Sequence, residues 1–216
     1  MRLKFLPSFV KRRGRITRNQ EENLKSLSDY SIASLNQIKE EASKFSYCCL
    51  EIGFGNAKHL ESQAVNNKNI FFVGSEVYMS GIGTLIGIIK DKNISNIKIF
   101  PDDVRVLLDE KEENEIFDAV KIICPDPWPK ERHHKRRLIN KDFLKLVYRS
   151  MKAKANLYIS TDWENYAESI KTSLYDSSYF ELTKKTFLEK EYLTKFEQRG
   201  KNDGRKIFEF NYQKKN

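Results

Sequence analysis

The residues best suited to chemistry in this chain are acids standing directly behind apolar, strand-like runs. Glu51-Ile52-Gly53-Phe54-Gly55 closes the first such run, Ser75-Glu76 the second and Asp102-Asp103 the third. Gly53 and Gly55 permit a tight turn and close ligand approach, where side chains would collide. Glu76 follows at the offset of about 20 residues from which a carboxylate accepts from the vicinal hydroxyls of a ribose. A carboxylate at Asp102 or Asp103 can accept from an adenine amine, and Asp103 is the preferred residue. Three acids behind three successive runs point to a nucleoside-containing ligand.

The ligand's other end is read from what surrounds the glycines. Glu51 precedes Gly53 by two positions, and the third glycine of a dinucleotide-binding turn is missing, with Ala57-Lys58 in its place. An acid here suits a ligand that has a cationic ammonium group and no pyrophosphate. S-adenosylmethionine fits that description and NAD does not.

A fourth run leads into Cys124-Pro125-Asp126-Pro127-Trp128-Pro129-Lys130. Alternating prolines deny both helix and ladder pairing, so a stiff, extended loop is expected. It would hold Asp126 near the cofactor with little entropy left to lose. Trp128 offers a flat face for an unstacked base. Lys130, Arg132, Lys135, Arg136 and Arg137 crowd the same stretch, where phosphate contacts would position a nucleic acid without reading its sequence. His133 and His134 lack a third ligand nearby, and Cys48, Cys49 and Cys124 lack metal-ligand spacing, so no metal is expected. The cysteines read as reduced core residues.

The elements that must position these groups alternate. Strands are expected at Tyr47–Ile52, Ile70–Gly74, Ile97–Phe100, Phe117–Cys124 and Ala155–Ser160. Helices are expected at Ala57–Val65, Ser80–Lys90, Asp103–Leu108, Lys141–Met151 and Trp163–Tyr175. Such alternation implies an α/β fold with a mostly parallel sheet covered on both faces. Two further strand-like runs, Tyr179–Phe187 and Lys206–Tyr212, flank a polar loop carrying Thr194–Gly204. An antiparallel hairpin there would leave the loop at a sheet edge. The chain divides into a basic arm, 1–27, and a single domain, 28–216.

At 216 residues with 39% hydrophobic content the chain can bury one ordinary core. A net charge of +9, concentrated at Lys11–Arg15 and Lys130–Arg137, favours an anionic partner. The longest apolar runs are too short to span a bilayer, and no signal core is evident, so a cytoplasmic protein without membrane contact is expected.

The whole pattern resembles the bacterial tRNA (guanine-N7)-methyltransferase family. The resemblance rests on six blocks in order: Arg13-Gly14-Arg15, Leu50–Gly55, Val73–Tyr78, Asp126–Arg137, Thr161-Asp162 and Thr194–Gly200. It implies a Rossmann-like class I methyltransferase fold with a seven-stranded sheet. It also implies S-adenosylmethionine binding by Glu51, Gly53, Gly55, Glu76, Asp103 and Asp126. Lys130, Asp162, Thr194, Lys195, Phe196 and Glu197 would then contact the substrate, with Arg199 helping to close over the target nucleoside. Arg13, Arg15, Arg132, Lys135, Arg136 and Arg137 are assigned to the RNA backbone. The expected product is 7-methylguanosine in the tRNA variable loop, normally position 46. The chain departs from the family at Ala57, where a glycine is usual. Oligomeric state stays open between monomer and homodimer.

Guanine N7 carries a lone pair and no proton, so the reaction needs no general base. Asp126 is expected to act as a fixed carboxylate that holds the base and balances the positive charge developing on it. Two rival readings stand beside this one. An adenine or cytosine amino-methyltransferase would also place a polar-Pro-aromatic segment behind its fourth strand. A non-catalytic RNA-binding protein could retain a degenerate cofactor fold.

Overall fold

The computed structural model describes residues 5–9, 15–110, 115–189 and 193–216. Its elements follow in chain order. Three helices, α1 (Arg18–Leu24), α2 (Leu27–Tyr30) and α3 (Leu35–Ala42), precede the first strand. Then come β1 (Tyr47–Ile52), α4 (Lys58–Asn66), β2 (Ile70–Ser75), α5 (Met79–Lys92), β3 (Ile97–Phe100), α6 (Val104–Leu108) and β4 (Phe117–Ile123). After a 3-10 turn at Glu131–Arg136 follow α7 (Lys141–Ser150), β5 (Met151–Thr161), α8 (Glu164–Ser177), β6 (Phe180–Leu182), α9 (Lys195–Asn202) and β7 (Phe208–Lys214). The sheet has seven strands in the order β3-β2-β1-β4-β5-β7-β6. The first five run parallel, while β7 pairs antiparallel with both β5 and β6.

Burial on both faces explains why the central strands read as nearly unbroken apolar runs. Side chains alternate across the sheet. Leu50 and Ile52 face the layer built by α3, α6, α7 and α8, with Phe143, Leu144 and Tyr166 at its centre. Cys49 faces α4 and α5, packing with Leu60, Ile82, Leu85 and Ile86. Cys48 and Cys49 are buried free thiols, and burial pushes both thiols' pKa values up.

The register aligns the strand ends that matter. Ile52 lies opposite Ser75, Ser75 opposite Phe100, Ile52 opposite Ile122 and Ile123 opposite Ser160. The residues just beyond, Gly53, Glu76, Asp102, Cys124 and Asp162, therefore emerge along one edge. Strand order reverses direction between β1 and β4, the crevice where open α/β sheets hold ligands.

Three expectations need correction. The Thr194–Gly204 loop contains helix α9, started by a capping box in which Thr194 and Glu197 bond reciprocally. Of the run Tyr179–Phe187 only β6 is strand. The chain then crosses back over the sheet, where the buried Lys121 ammonium donates to Leu188 O at 2.9 Å. Strand β7 accordingly lies inside the sheet, and α9 sits over the strand ends rather than at an edge. Nor does packing break at residue 27. Helix α1, with its own Thr17–Gln20 capping box, docks on α5 through Gln20 to Thr84 at 2.9 Å and Asn23 to Gly83 O at 3.1 Å. Among the described residues, no helix is long and apolar enough to cross a membrane.

Candidate active site

A cavity of about 350 Å³ opens at the aligned strand ends, within the size range of small-molecule pockets. Gly53, Gly55, Glu76, Asp102, Asp103, Asp126, Asp162 and Phe196 all line it.

The turn after β1 is built from left-handed residues. Gly53 has φ 75° and Gly55 φ 55°, conformations that glycine adopts without steric cost. Ala57, which starts α4, is left-handed as well at φ 65°. Glu51 is the exception among the expected cofactor residues. Strand alternation turns it towards α4, where it is only 5% exposed and its Oε2 meets His59 Nδ1 at 2.7 Å. It lies beneath the turn and does not line the cavity.

Glu76 is buried and stitched into the backbone. Its oxygens accept from Gly55 N–H at 2.8 Å, Val77 N–H at 2.7 Å and Tyr78 N–H at 3.0 Å. Burial pushes its pKa above the ordinary carboxylate value. The negative charge of Asp126 adds to that, and the three N–H groups oppose it. At the end of β3, Asp103 caps α6 and forms an ion pair with Arg105. Asp102 is exposed, and its Oδ1 accepts from Asp103 N–H at 2.7 Å.

The proline loop is not uniformly extended. Cys124 (φ 49°) and Trp128 (φ 46°) are left-handed, so strained backbone brackets the exposed Asp126 on both sides. Trp128 is already engaged. Its indole N–H donates to Ser8 O at 2.8 Å, and Arg136 covers the ring at 5.1 Å. The segment Phe5–Phe9 is thereby strapped across the cavity, with Ser8 and Phe9 in its lining. Its other anchor is Arg105, which donates to Leu6 O at 3.0 Å and stacks on Phe5.

Arg137 departs from its expected RNA-backbone role. It is buried, its Nε donates to Pro127 O at 3.0 Å and a terminal nitrogen donates to Asn165 Oδ1 at 2.7 Å. With the guanidinium lying over Tyr166, it braces the loop from behind and has no access to a phosphate. Arg15, Lys130, Arg132 and Lys135 are exposed, and Arg136 is half-buried. Arg13 lies outside the described residues. Among those described, no cluster could hold a metal ion.

Asp162 directly follows β5 and pairs with Arg205, whose Nε donates to Oδ2 at 2.9 Å; the pairing raises the Arg205 pKa. Above it, α9 carries Phe196, 58% exposed, with its ring over Gly55. Glu197 is fully buried. Its carboxylate accepts from Ser160 Oγ at 2.9 Å and from both Thr194 donors, so it anchors α9 rather than facing a base. Thr194 and Lys195 border a neighbouring groove between α4 and α9, outside the main cavity. Sequence reasoning missed Arg205, Arg105, His59 and the Phe5–Phe9 strap. The capping-box spacing Thr194–Glu197 was the one available signal, and it marked α9.

Comparison with known proteins agrees with this architecture. Residues 46–210 match the family model described as "Putative methyltransferase". The chain is 36% identical over 218 residues to a tRNA (guanine-N(7)-)-methyltransferase of Nitrosococcus oceani, spanning 97% of this chain and 91% of that one. It is 40% identical over 166 residues to the protein of that name from Neorickettsia sennetsu, spanning 77% and 73%. Among solved structures, the 16S rRNA methyltransferase KamB superposes with a TM-score of 0.62 at 11% identity, covering 86% of this chain and 96% of that one. An antibiotic-related methyltransferase gives 0.58 at 19% identity, covering 84% and 95%. These two likenesses establish the shared fold. By the identity and coverage of its relatives, the chain belongs to the tRNA (guanine-N(7)-)-methyltransferase family.

Proposed function

We propose that this protein transfers the methyl group of S-adenosylmethionine to N7 of a guanosine in tRNA, the variable-loop position 46. The observation that carries this reading is the meeting of Glu76, Asp103, Asp126 and Asp162 in one cavity, directly beside a basic run.

The cavity suits the cofactor in chemistry as well as size. Glu76 lines it and can accept from ribose hydroxyls, and Asp102 and Asp103, also in the lining, can accept from an adenine amine. Glu51 acts from below, through the turn it supports. When bound, the cofactor supplies an electrophilic methyl group on a sulfonium centre.

The protein's own part is positional and electrostatic. Guanine N7 has no proton to lose, so no residue has to act as a base. Asp126, fixed between strained residues, balances positive charge on the purine ring. Ser8, Phe9 and Phe196 border the same cavity. Asp162 accepts from guanine N1–H and the exocyclic amine. Adenine presents an unprotonated N1 there and is disfavoured. Lys130, Arg132, Lys135 and Arg136 bind the tRNA backbone.

The test is to incubate purified protein with labelled S-adenosylmethionine and unmodified tRNA and then locate the methyl group. Borohydride–aniline scission at a variable-loop guanosine is the expected result. A label on an exocyclic amine, which resists this cleavage, would overturn the reading in favour of an amino-methyltransferase.

A further inference from the structure

Arg205 lies outside every motif described above, yet its side chain lines the cavity. It follows Gly204 in the turn between α9 and β7, and its own N–H donates to Gly200 O at 2.8 Å. Its guanidinium Nε binds Asp162 Oδ2 at 2.9 Å, and another nitrogen binds Asp203 Oδ2 at 3.0 Å. The side chain lines the cavity and is one-third exposed.

A second contact holds the same carboxylate. Helix α9 approaches β5 so closely at Gly200 that a Cβ there would lie 2.6 Å from Asp162 Oδ2 and 2.8 Å from its Cβ. Asp162 is thus confined from two sides through one oxygen. Its other oxygen, Oδ1, has no donor among the described residues.

We propose that Arg205 is a positioning residue for base selection. It occupies Oδ2 of Asp162 and so reserves Oδ1 for the N1–H and N2 amine of guanine. This rests on the guanine-directed reading above. A carboxylate free to rotate would spread its acceptors over many orientations, whereas one held by a planar guanidinium offers a single oxygen in a fixed direction. A carboxylate oxygen held in that direction accepts from guanine and faces the N1 lone pair of adenine with another lone pair.

The experiment compares tRNA carrying guanosine at the target with tRNA carrying inosine, which lacks the N2 amine. Wild-type enzyme should favour guanosine in kcat/KM by about tenfold or more. Arg205→Gln should lower kcat/KM on guanosine roughly 30-fold, the range for losing one aligned charge-assisted hydrogen bond, and should lower it only a few-fold on inosine. The preference should therefore nearly vanish. S-adenosylmethionine binding, read by calorimetry, should stay within about twofold, since Arg205 touches no cofactor acid. Asp162→Asn should cause a similar loss, and combining the two changes should add little. Arg205→Lys should recover part of the preference, and it serves as the readout if the glutamine variant does not fold.

An undiminished guanosine preference in Arg205→Gln, or in Arg205→Lys where only that variant folds, would overturn the proposal. So would losses that multiply in the double variant, which would place Arg205 on the RNA backbone instead. If wild-type enzyme forms no 7-methylguanosine on the guanosine tRNA, the guanine-directed reading itself fails, and the assignment of Arg205 falls with it.

Discussion

The two halves of the site are held in different ways. On the β1–β3 side each acid is bound from within 21 residues of chain. Glu76 accepts from Val77, Tyr78 and Gly55, Asp103 pairs with Arg105, and Glu51 pairs with His59. On the β4–β5 side the holding residues come from far away. Arg205 reaches Asp162 across 43 residues of chain, Glu197 reaches Ser160 across 37, and Ser8 meets Trp128 across 120. The first half is a local frame that forms with the sheet and suits a small ligand of fixed shape. The second half depends on long-range closure and leaves Asp126 exposed, as a site must that admits a macromolecule.

The contrast can be broken most sharply at Asp126. Its replacement by alanine should lower methyl transfer by about 10³-fold, the loss seen when a fixed electrostatic group is removed. Stability should change by less than about 0.5 kcal/mol, because the residue is exposed. Single-turnover assays and urea melts report the two quantities. Glu76→Ala should do the opposite. It leaves three part-buried backbone N–H groups without their acceptor, so a loss of roughly 1–3 kcal/mol should appear in urea unfolding along with weakened cofactor binding. A melt matching that of wild type would show the β1–β3 frame to be less integral than the hydrogen bonds imply.

A smaller effect follows from the raised Glu76 pKa. Between its ordinary and its raised value the folded state holds more protons than the unfolded state. Its contribution to stability therefore falls as pH rises through that window. Ligand binding runs the other way, since protonation removes an acceptor for ribose hydroxyls. S-adenosylmethionine affinity should weaken as pH falls into the window, and Glu76→Gln should flatten that dependence in calorimetry. The smallest effect is expected at Ala57. Glycine there would relieve left-handed strain of about 1–2 kcal/mol and forfeit about 0.8 kcal/mol of methyl burial. A net gain below about 1 kcal/mol is expected by urea titration.

This division also decided what could be read from the sequence. The five parallel strands and the acids behind them were legible because turn glycines, an acid and an apolar run stand side by side. Their boundaries shifted by only a few residues. Pro125–Pro129 announced a rigid loop, but not the left-handed Cys124 and Trp128, because a following proline favours extended backbone and only the tertiary fold overrides it. Long-range partners left no local trace. Arg137 sits in a run of surface cations, and Pro127 O together with Asn165 and Tyr166, a helix away, draws it inside. Helix α9 was hidden by its polarity, although Thr194 and Glu197 marked its start. Arg205 belongs to no pattern until the fold brings it to Asp162.

Trp128 and Arg105 both grip the strap over the cavity through main-chain carbonyls, those of Ser8 and Leu6. Those hydrogen bonds ask nothing of the side chains at positions 6 and 8. A substitution at either position can leave both anchoring bonds in place, whereas replacing Trp128 or Arg105 removes one outright.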